Sequence, residues 1–249
     1  MLCHALNCLF VHIPKTGGQT VTRSLLDAAG LDWEQRDQCL LRANPDPAAG
    51  PPRLAHLTLD EYRTLGYLHE GEIDTHFSFA FVRNPWARLV SEYLFYPVRH
   101  HSFREFVLHH FPGPGADDHE TGNDRYRHIL PQHRFVCDSE GRPHVDFIGR
   151  FENLEADFQT AMERLGRPDI RLAQAGNSHA GGFARALRHR GLVEEGARVS
   201  NVRRPDYRHF YDDQTRAFVD EFYAQDIALF GYAFDSQTPA HAKTVIDDS

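Results

Sequence analysis

Cysteine is scarce in this 249-residue chain, and the four present, Cys3, Cys8, Cys39 and Cys137, include no C-x-x-C pair. That argues against a disulfide framework or a cysteine-based structural zinc site, and it fits a reducing cytoplasm. Also missing is any stretch near the roughly 20 apolar residues needed to cross a bilayer. The opening Met1 to Phe10 lacks a basic segment followed by an apolar run, so neither a secretory leader nor an anchor is expected. Positive charge is short too: 27 basic residues stand against 35 acidic ones, a net charge of −8. A protein that coats nucleic acid or an anionic membrane through its overall field is thereby disfavoured, while local basic pockets stay open. Seventeen histidines raise the question of a metal. His100, His101, His109 and His110 are adjacent or nine apart, without the i, i+4 spacing of a helical zinc site, so no metal is expected.

What is present is 41% hydrophobic and 12% aromatic residues, enough for one good-sized core. The expectation is one domain over residues 1–235 with a polar tail over 236–249. Cys8 to Ile13 reads as a buried strand that stops at Pro14 and the Gly17–Gly18 pair. A helix follows, with Val21, Leu25 and Ala28 at helical spacing and Gly30 as its stop. Phe77 to Val82 is a second buried strand, after which Asn84 and Pro85 offer an N-cap and a first helical residue. The helix runs on through Trp86, Leu89, Val90, Tyr93 and Leu94. Ser102 and Glu105 form a capping-box pattern, Val145 to Gly149 reads as a third strand, and Leu154 to Leu165 as a helix closed by Gly166. Residues 44–53 and most of 167–208 read as loop, and a last amphipathic helix spans Asp213 to Phe230. Strand alternating with helix predicts an α/β fold, a central parallel sheet flanked by helices on both faces.

The loop from Pro14 to Thr20 carries the clearest chemistry. A helix N-terminus presents unpaired N–H groups and partial positive charge, which suits phosphate or sulfate. Gly17 and Gly18 let the backbone approach an anion, Lys15 adds full charge, and Thr16 and Thr20 offer hydroxyls. In a nucleotide triphosphatase loop the lysine follows the glycines, whereas Lys15 precedes Gly17. No aspartate stands at a strand end to hold magnesium, since Asp146 reads as lying inside its strand. A plain glycine turn with a surface lysine is the bland alternative for this segment taken alone.

Phe10-Val-His-Ile-Pro-Lys-Thr-Gly-Gly18 resembles the 5′-phosphosulfate loop of the carbohydrate sulfotransferases related to heparan sulfate 2-O-sulfotransferase. Phe81-Val-Arg-Asn-Pro-Trp-Ala-Arg-Leu-Val-Ser-Glu-Tyr93 is similar to that family's 3′-phosphate motif, with an arginine at a strand end and a serine eight residues on. Arg83 and Ser91 match those positions. Further similarity at Val145 to Leu154 and Tyr207 to Phe234 extends the resemblance from about Phe10 to Phe234. It implies a P-loop-like sulfotransferase fold and 3′-phosphoadenosine 5′-phosphosulfate as the donor, with 3′-phosphoadenosine 5′-phosphate as product. A saccharide hydroxyl is the implied acceptor. Gln19 departs from the small residues common in relatives and is a candidate contact to the sulfuryl oxygens or the acceptor.

In-line sulfuryl transfer needs a base for the acceptor hydroxyl and charge for the leaving phosphate. Lys15 is the candidate for the charge. His56, between the two motifs in Leu54-Ala-His-Leu57, is similar in placement to the relatives' catalytic histidine and is the candidate base; His12 is instead expected to brace the loop and His76 to begin a strand. Arg88 admits two readings, a third contact to the 3′-phosphate or a surface ion pair with Glu92. Arg185, Arg188, Arg190, Arg198, Arg203, Arg204 and Arg208 either line an acceptor site, close over the nucleotide, or form a solvated charge run. By resemblance, Ser200 and Arg203 are candidate nucleotide contacts. An ATP-dependent phosphotransferase and a non-catalytic nucleotide- or glycan-binding module remain the competing readings.

Overall fold

Period-two alternation divides the strand residues between two cores, one on each face of a four-stranded sheet. The computed structural model describes residues 1–69, 71–95, 102–174 and 205–235. Its sheet has the order β1 (Leu2–Cys3), β2 (Cys8–Val11), β3 (Phe77–Val82), β6 (Phe147–Arg150). A separate two-stranded ladder pairs β4 (Asp117–Asp118) with β5 (Asn123–Asp124). On one face of the main sheet, Leu9, Val11, Ala80 and Val82 meet Trp86 and Leu89 of α4 (Pro85–Phe95), Phe106 of α5 (Phe103–His109) and Val219 of α9 (Asp213–Phe222). On the other, Cys8, Phe10, Phe79 and Phe81 meet Val21 and Leu25 of α1 (Gly18–Ala28) and Phe158 and Met162 of α8 (Leu154–Arg164). Phe10, Phe79 and Phe81 are fully buried, each contributing about 1.5–3 kcal/mol of transfer free energy.

The sheet is mostly parallel, with one departure from expectation. β2 runs parallel to β3 and β3 to β6, but β1 pairs antiparallel with β2, Leu2 opposite Leu9 and Cys3 opposite Cys8. A two-residue edge strand leaves no periodicity to read, which is why sequence pattern misses it. Asp146, expected inside a strand, sits just ahead of β6. Its Oδ2 accepts from the Ser78 amide and hydroxyl at 2.7 Å each, pinning β6 to β3. The capping box at Ser102 and Glu105 forms as expected, and Asn84 Oδ1 accepts the Ala87 amide at 3.0 Å to start α4. The expected last helix is two, α9 and α10 (Ala224–Phe230). They break at Tyr223, whose ring is buried and whose hydroxyl donates to the Ile129 carbonyl at 2.6 Å. No helix among the described residues is long and apolar enough to cross a membrane.

Candidate active site

The expected anion loop occupies the turn between β2 and α1. Ile13 donates to the Val11 carbonyl at 3.1 Å, and the Thr16 hydroxyl donates back to the Ile13 carbonyl at 2.9 Å, so Thr16 closes the turn from a fully buried position. Its hydroxyl proton is therefore committed to the loop itself and not to an anion, whereas Thr20 is half-buried. Gly17 caps α1 at φ 89°, where a side chain would be strained, and a Cβ there would stand 2.8 Å from Leu154. Lys15 adopts φ 69°, a left-handed conformation rarely used outside glycine and one that costs about 1–3 kcal/mol. Backbone strain of this kind clusters where a chain is shaped for a ligand. The Lys15 ammonium lies 3.8 Å from the centroid of Phe95, a ring 60% exposed. Gln19 is exposed beside the loop.

Gly18 is required for a different reason. A Cβ there would sit 1.9 Å from His12 Nε2. The His12 ring cannot easily yield, being buried with Phe10 stacked at 5.4 Å and His56 edge-on at 4.7 Å. Gly18→Ala is expected to cost about 1–3 kcal/mol, seen as a Tm lower by several degrees. An unchanged Tm would mean that His12 turns aside without loss.

The two sequence motifs converge. Arg83 Nη1 donates to the Lys15 carbonyl at 3.1 Å, with its guanidinium 4.3 Å from the Phe151 ring centroid. Gln132 holds the backbone of Arg83 from both sides, accepting its amide and donating to its carbonyl at 2.8 Å each. Asp226, fully buried, in turn accepts the Gln132 amide at 2.7 Å. Ser91 is half-buried on α4, one turn beyond Arg88 and one turn before Phe95 on the helix face turned to the loop. Arg88 takes neither of its two expected roles. It is 1% exposed, and its Nε, Nη1 and Nη2 donate to the carbonyls of Pro14, Leu130 and His128 at 2.9, 2.9 and 2.8 Å. Arg88 is thus a buried brace for the loop. Ser200 and Arg203, with the arginines from Arg185 to Arg204, lie outside the described residues.

His56 is brought to the same place, on a short 3-10 turn over Leu54–His56. Its Nδ1 lies 3.0 Å from the His12 carbonyl, which can only accept, so Nδ1 carries the proton and Nε2 the lone pair. Burial, with His128 nearby, holds His56 well below the ordinary imidazole range. Sequence reasoning missed what Nε2 faces. His128, on α6 (Arg125–Ile129), packs its ring edge-on to His56 at 5.2 Å. Its Nδ1 is 2.9 Å from Glu92 Oε2, and its Nε2 is 3.4 Å from Asp124 Oδ1. Burial opposes charge on His128, yet Glu92 and Asp124 together hold it above the ordinary value. Asp124 stands at the N-cap of α6 without capping it. Asp117 does so instead, its Oδ1 accepting the Tyr126 and Arg127 amides at 2.8 and 3.3 Å. Asp124 and His128 are four apart and on one helical face, a signal in the sequence that a search for histidine pairs alone passes over.

The arrangement is a glycine-built turn carrying a lysine, beside a histidine that burial keeps neutral and a second histidine hydrogen-bonded to a carboxylate. It can bind a bisphosphorylated or sulfated ligand and take a proton from a group placed against it. Comparison with known proteins agrees in kind. An uncharacterized protein of Archaeoglobus fulgidus is 33% identical over 113 residues, covering 43% of this chain and 83% of that one. No solved structure matches at a significant level. The Sulfotransferase family matches residues 1–233, nearly the whole chain and both anion motifs within it, so the chain belongs to the sulfotransferase family and is a transferase of sulfuryl groups.

Proposed function

We propose that the protein transfers the sulfuryl group of 3′-phosphoadenosine 5′-phosphosulfate to an acceptor hydroxyl, most simply that of a saccharide. The observation that carries this reading is the 3.1 Å bond from Arg83 to the Lys15 carbonyl, because one bisphosphorylated nucleotide must reach both motifs. In this reading the N–H groups of Gly17, Gly18 and Gln19 with the Thr20 hydroxyl hold the 5′-phosphosulfate, the Gln19 side chain reaches its sulfuryl oxygens, and Arg83 and Ser91 hold the 3′-phosphate. The acceptor oxygen forms a bond to sulfur as the bond from sulfur to the bridging phosphate oxygen breaks. The acceptor proton passes to His56 Nε2, and the charge left on the 5′-phosphate faces the Lys15 ammonium. Ser200 and Arg203 complete the nucleotide site as the resemblance implies. The step uses no metal.

Calorimetry tests the donor. Tight binding of 3′-phosphoadenosine 5′-phosphate without magnesium, and weaker binding of ATP, is expected; the reverse order would replace this reading with a phosphotransferase. Labelled sulfate should then pass to a panel of saccharides, and binding without transfer to any hydroxyl would mark a non-catalytic module. Arg83→Ala is expected to weaken 3′-phosphoadenosine 5′-phosphate about 10- to 100-fold while hardly changing the affinity for adenosine 5′-phosphate. Equal losses for the two nucleotides would remove Arg83 from the 3′-phosphate.

The pH profile carries a sign that follows from burial. A base must be neutral to accept a proton, and His56 remains neutral on acidification past its ordinary pKa of 6.5. The acid limb of kcat is expected to fall below pH 6.5. A limb centred above 6.5 would point to His128 as the titrating group, since His128 is held above that value.

A further inference from the structure

His56, Asp124 and His128 form, among the described residues, a group whose ligand atoms all lie within 4.8 Å of one another. His56 Nε2 is 3.8 Å from Asp124 Oδ2, and His128 Nε2 is 3.4 Å from Asp124 Oδ1. A zinc ion with bonds of about 2.0–2.1 Å asks for ligand atoms roughly 3.3–3.5 Å apart, so the group must contract by at most about 1.3 Å from its 4.8 Å limit to come within that range. Three further observations point to a cation. Asp124 is 4% exposed and, among the described residues, its Oδ2 accepts no hydrogen bond, a costly state for a buried carboxylate oxygen. Both imidazoles are oriented through Nδ1, His56 by the His12 carbonyl and His128 by the Glu92 carboxylate, which directs both Nε2 atoms inward. Such outer partners are the usual way a metal-binding histidine is fixed in tautomer and orientation. Asp117, by capping α6, leaves Asp124 free to turn toward the histidines. Arg53 is the cation already near, its Nε 3.7 Å from Oδ1, on the other oxygen.

We propose that His56 Nε2, His128 Nε2 and the Asp124 carboxylate bind one divalent transition-metal ion of the zinc class. Two nitrogens and one carboxylate suit zinc or cobalt far better than magnesium or calcium, which prefer oxygen ligands. Occupancy takes the Nε2 lone pair that the proposed reaction uses, so metal binding and proton acceptance by His56 exclude each other; this last clause rests on the function proposed above. The ion is thus an inhibitor of transfer, held at the place where the acceptor hydroxyl would be deprotonated.

Cobalt titration of chelator-treated protein tests the site. A visible absorption band saturating at one equivalent is expected, with zinc displacing it. Asp124→Asn and His128→Gln should each weaken cobalt at least about 100-fold, and Glu92→Gln about 10- to 100-fold. No band, or affinities unmoved by Asp124→Asn, would overturn the proposal. Should these variants fail to fold, imidazole nitrogen NMR of the unaltered chain decides. Zinc must shift the Nε2 resonances of His56 and His128 and leave their Nδ1 protons in place, and unshifted resonances at saturating zinc reject the site. Transfer assays separate the two claims: zinc-loaded protein should lose transfer and regain it on chelation. Transfer that persists with zinc bound would overturn the exclusion, whereas metal-free protein that is inactive until zinc is added would overturn His56 as base and leave the metal site standing.

Discussion

Replacing His56 by alanine is expected to lower kcat about 10²- to 10⁴-fold, the usual contribution of a positioned general base. Affinity for 3′-phosphoadenosine 5′-phosphate should stay within a few-fold, because the anion loop and Arg83 do not depend on the imidazole for their hydrogen bonds. Three features make the prediction specific. The His12 carbonyl fixes the proton on Nδ1, burial keeps the ring neutral, and the edge-on contact with His12 at 4.7 Å ties the ring to the residue lying over Gly18. His128→Ala is the companion variant. Its ring is linked to Glu92, which with Asp124 raises its proton affinity, so it should lower kcat less than His56→Ala does. If His56→Ala keeps its turnover and His128→Ala loses it, the base is His128, with Glu92 orienting it.

Arg88→Met is expected to reduce stability by about 3–5 kcal/mol, with Tm falling by roughly 6–20 °C. The guanidinium satisfies three carbonyls, those of Pro14, Leu130 and His128, from a position 1% exposed to solvent. Each carbonyl left without its donor costs about 1–3 kcal/mol, large against a total stability of about 5–15 kcal/mol. Lysine should not rescue it, since a single ammonium cannot reach three acceptors that a planar fork spans. Thermal unfolding with and without nucleotide separates this brace from the role as a phosphate contact read in the sequence. A variant with normal Tm and much weaker nucleotide binding would restore that role.

How much was legible depended on how local each feature is. The turn at Pro14 to Thr20 could be read because its determinants, a buried strand, two glycines and a lysine, are contiguous. Asn84 with Pro85, and Ser102 with Glu105, announced helix starts for the same reason: a cap is made within three residues. Arg88 was misread because its spacing from Ser91 and Glu92 says which helical face it occupies but not what lies against that face. The clamp of Gln132 on Arg83 joins residues 49 apart, and its support from Asp226 a further 94. No window of sequence contains both partners.

The sequence by itself determined the strand, the glycine turn and the helix around Pro14 to Thr20, and the broad sulfotransferase family, because these are written in neighbouring residues and in a family match that spans residues 1–233. Tertiary structure alone decided that Arg83 touches Lys15, that Arg88 faces inward, and that His56, Glu92, Asp124 and His128 form one cluster. The physical reason is that hydrogen-bond partners, burial and proton affinity belong to a side chain's surroundings. Those surroundings exist only after the chain has brought distant segments into contact.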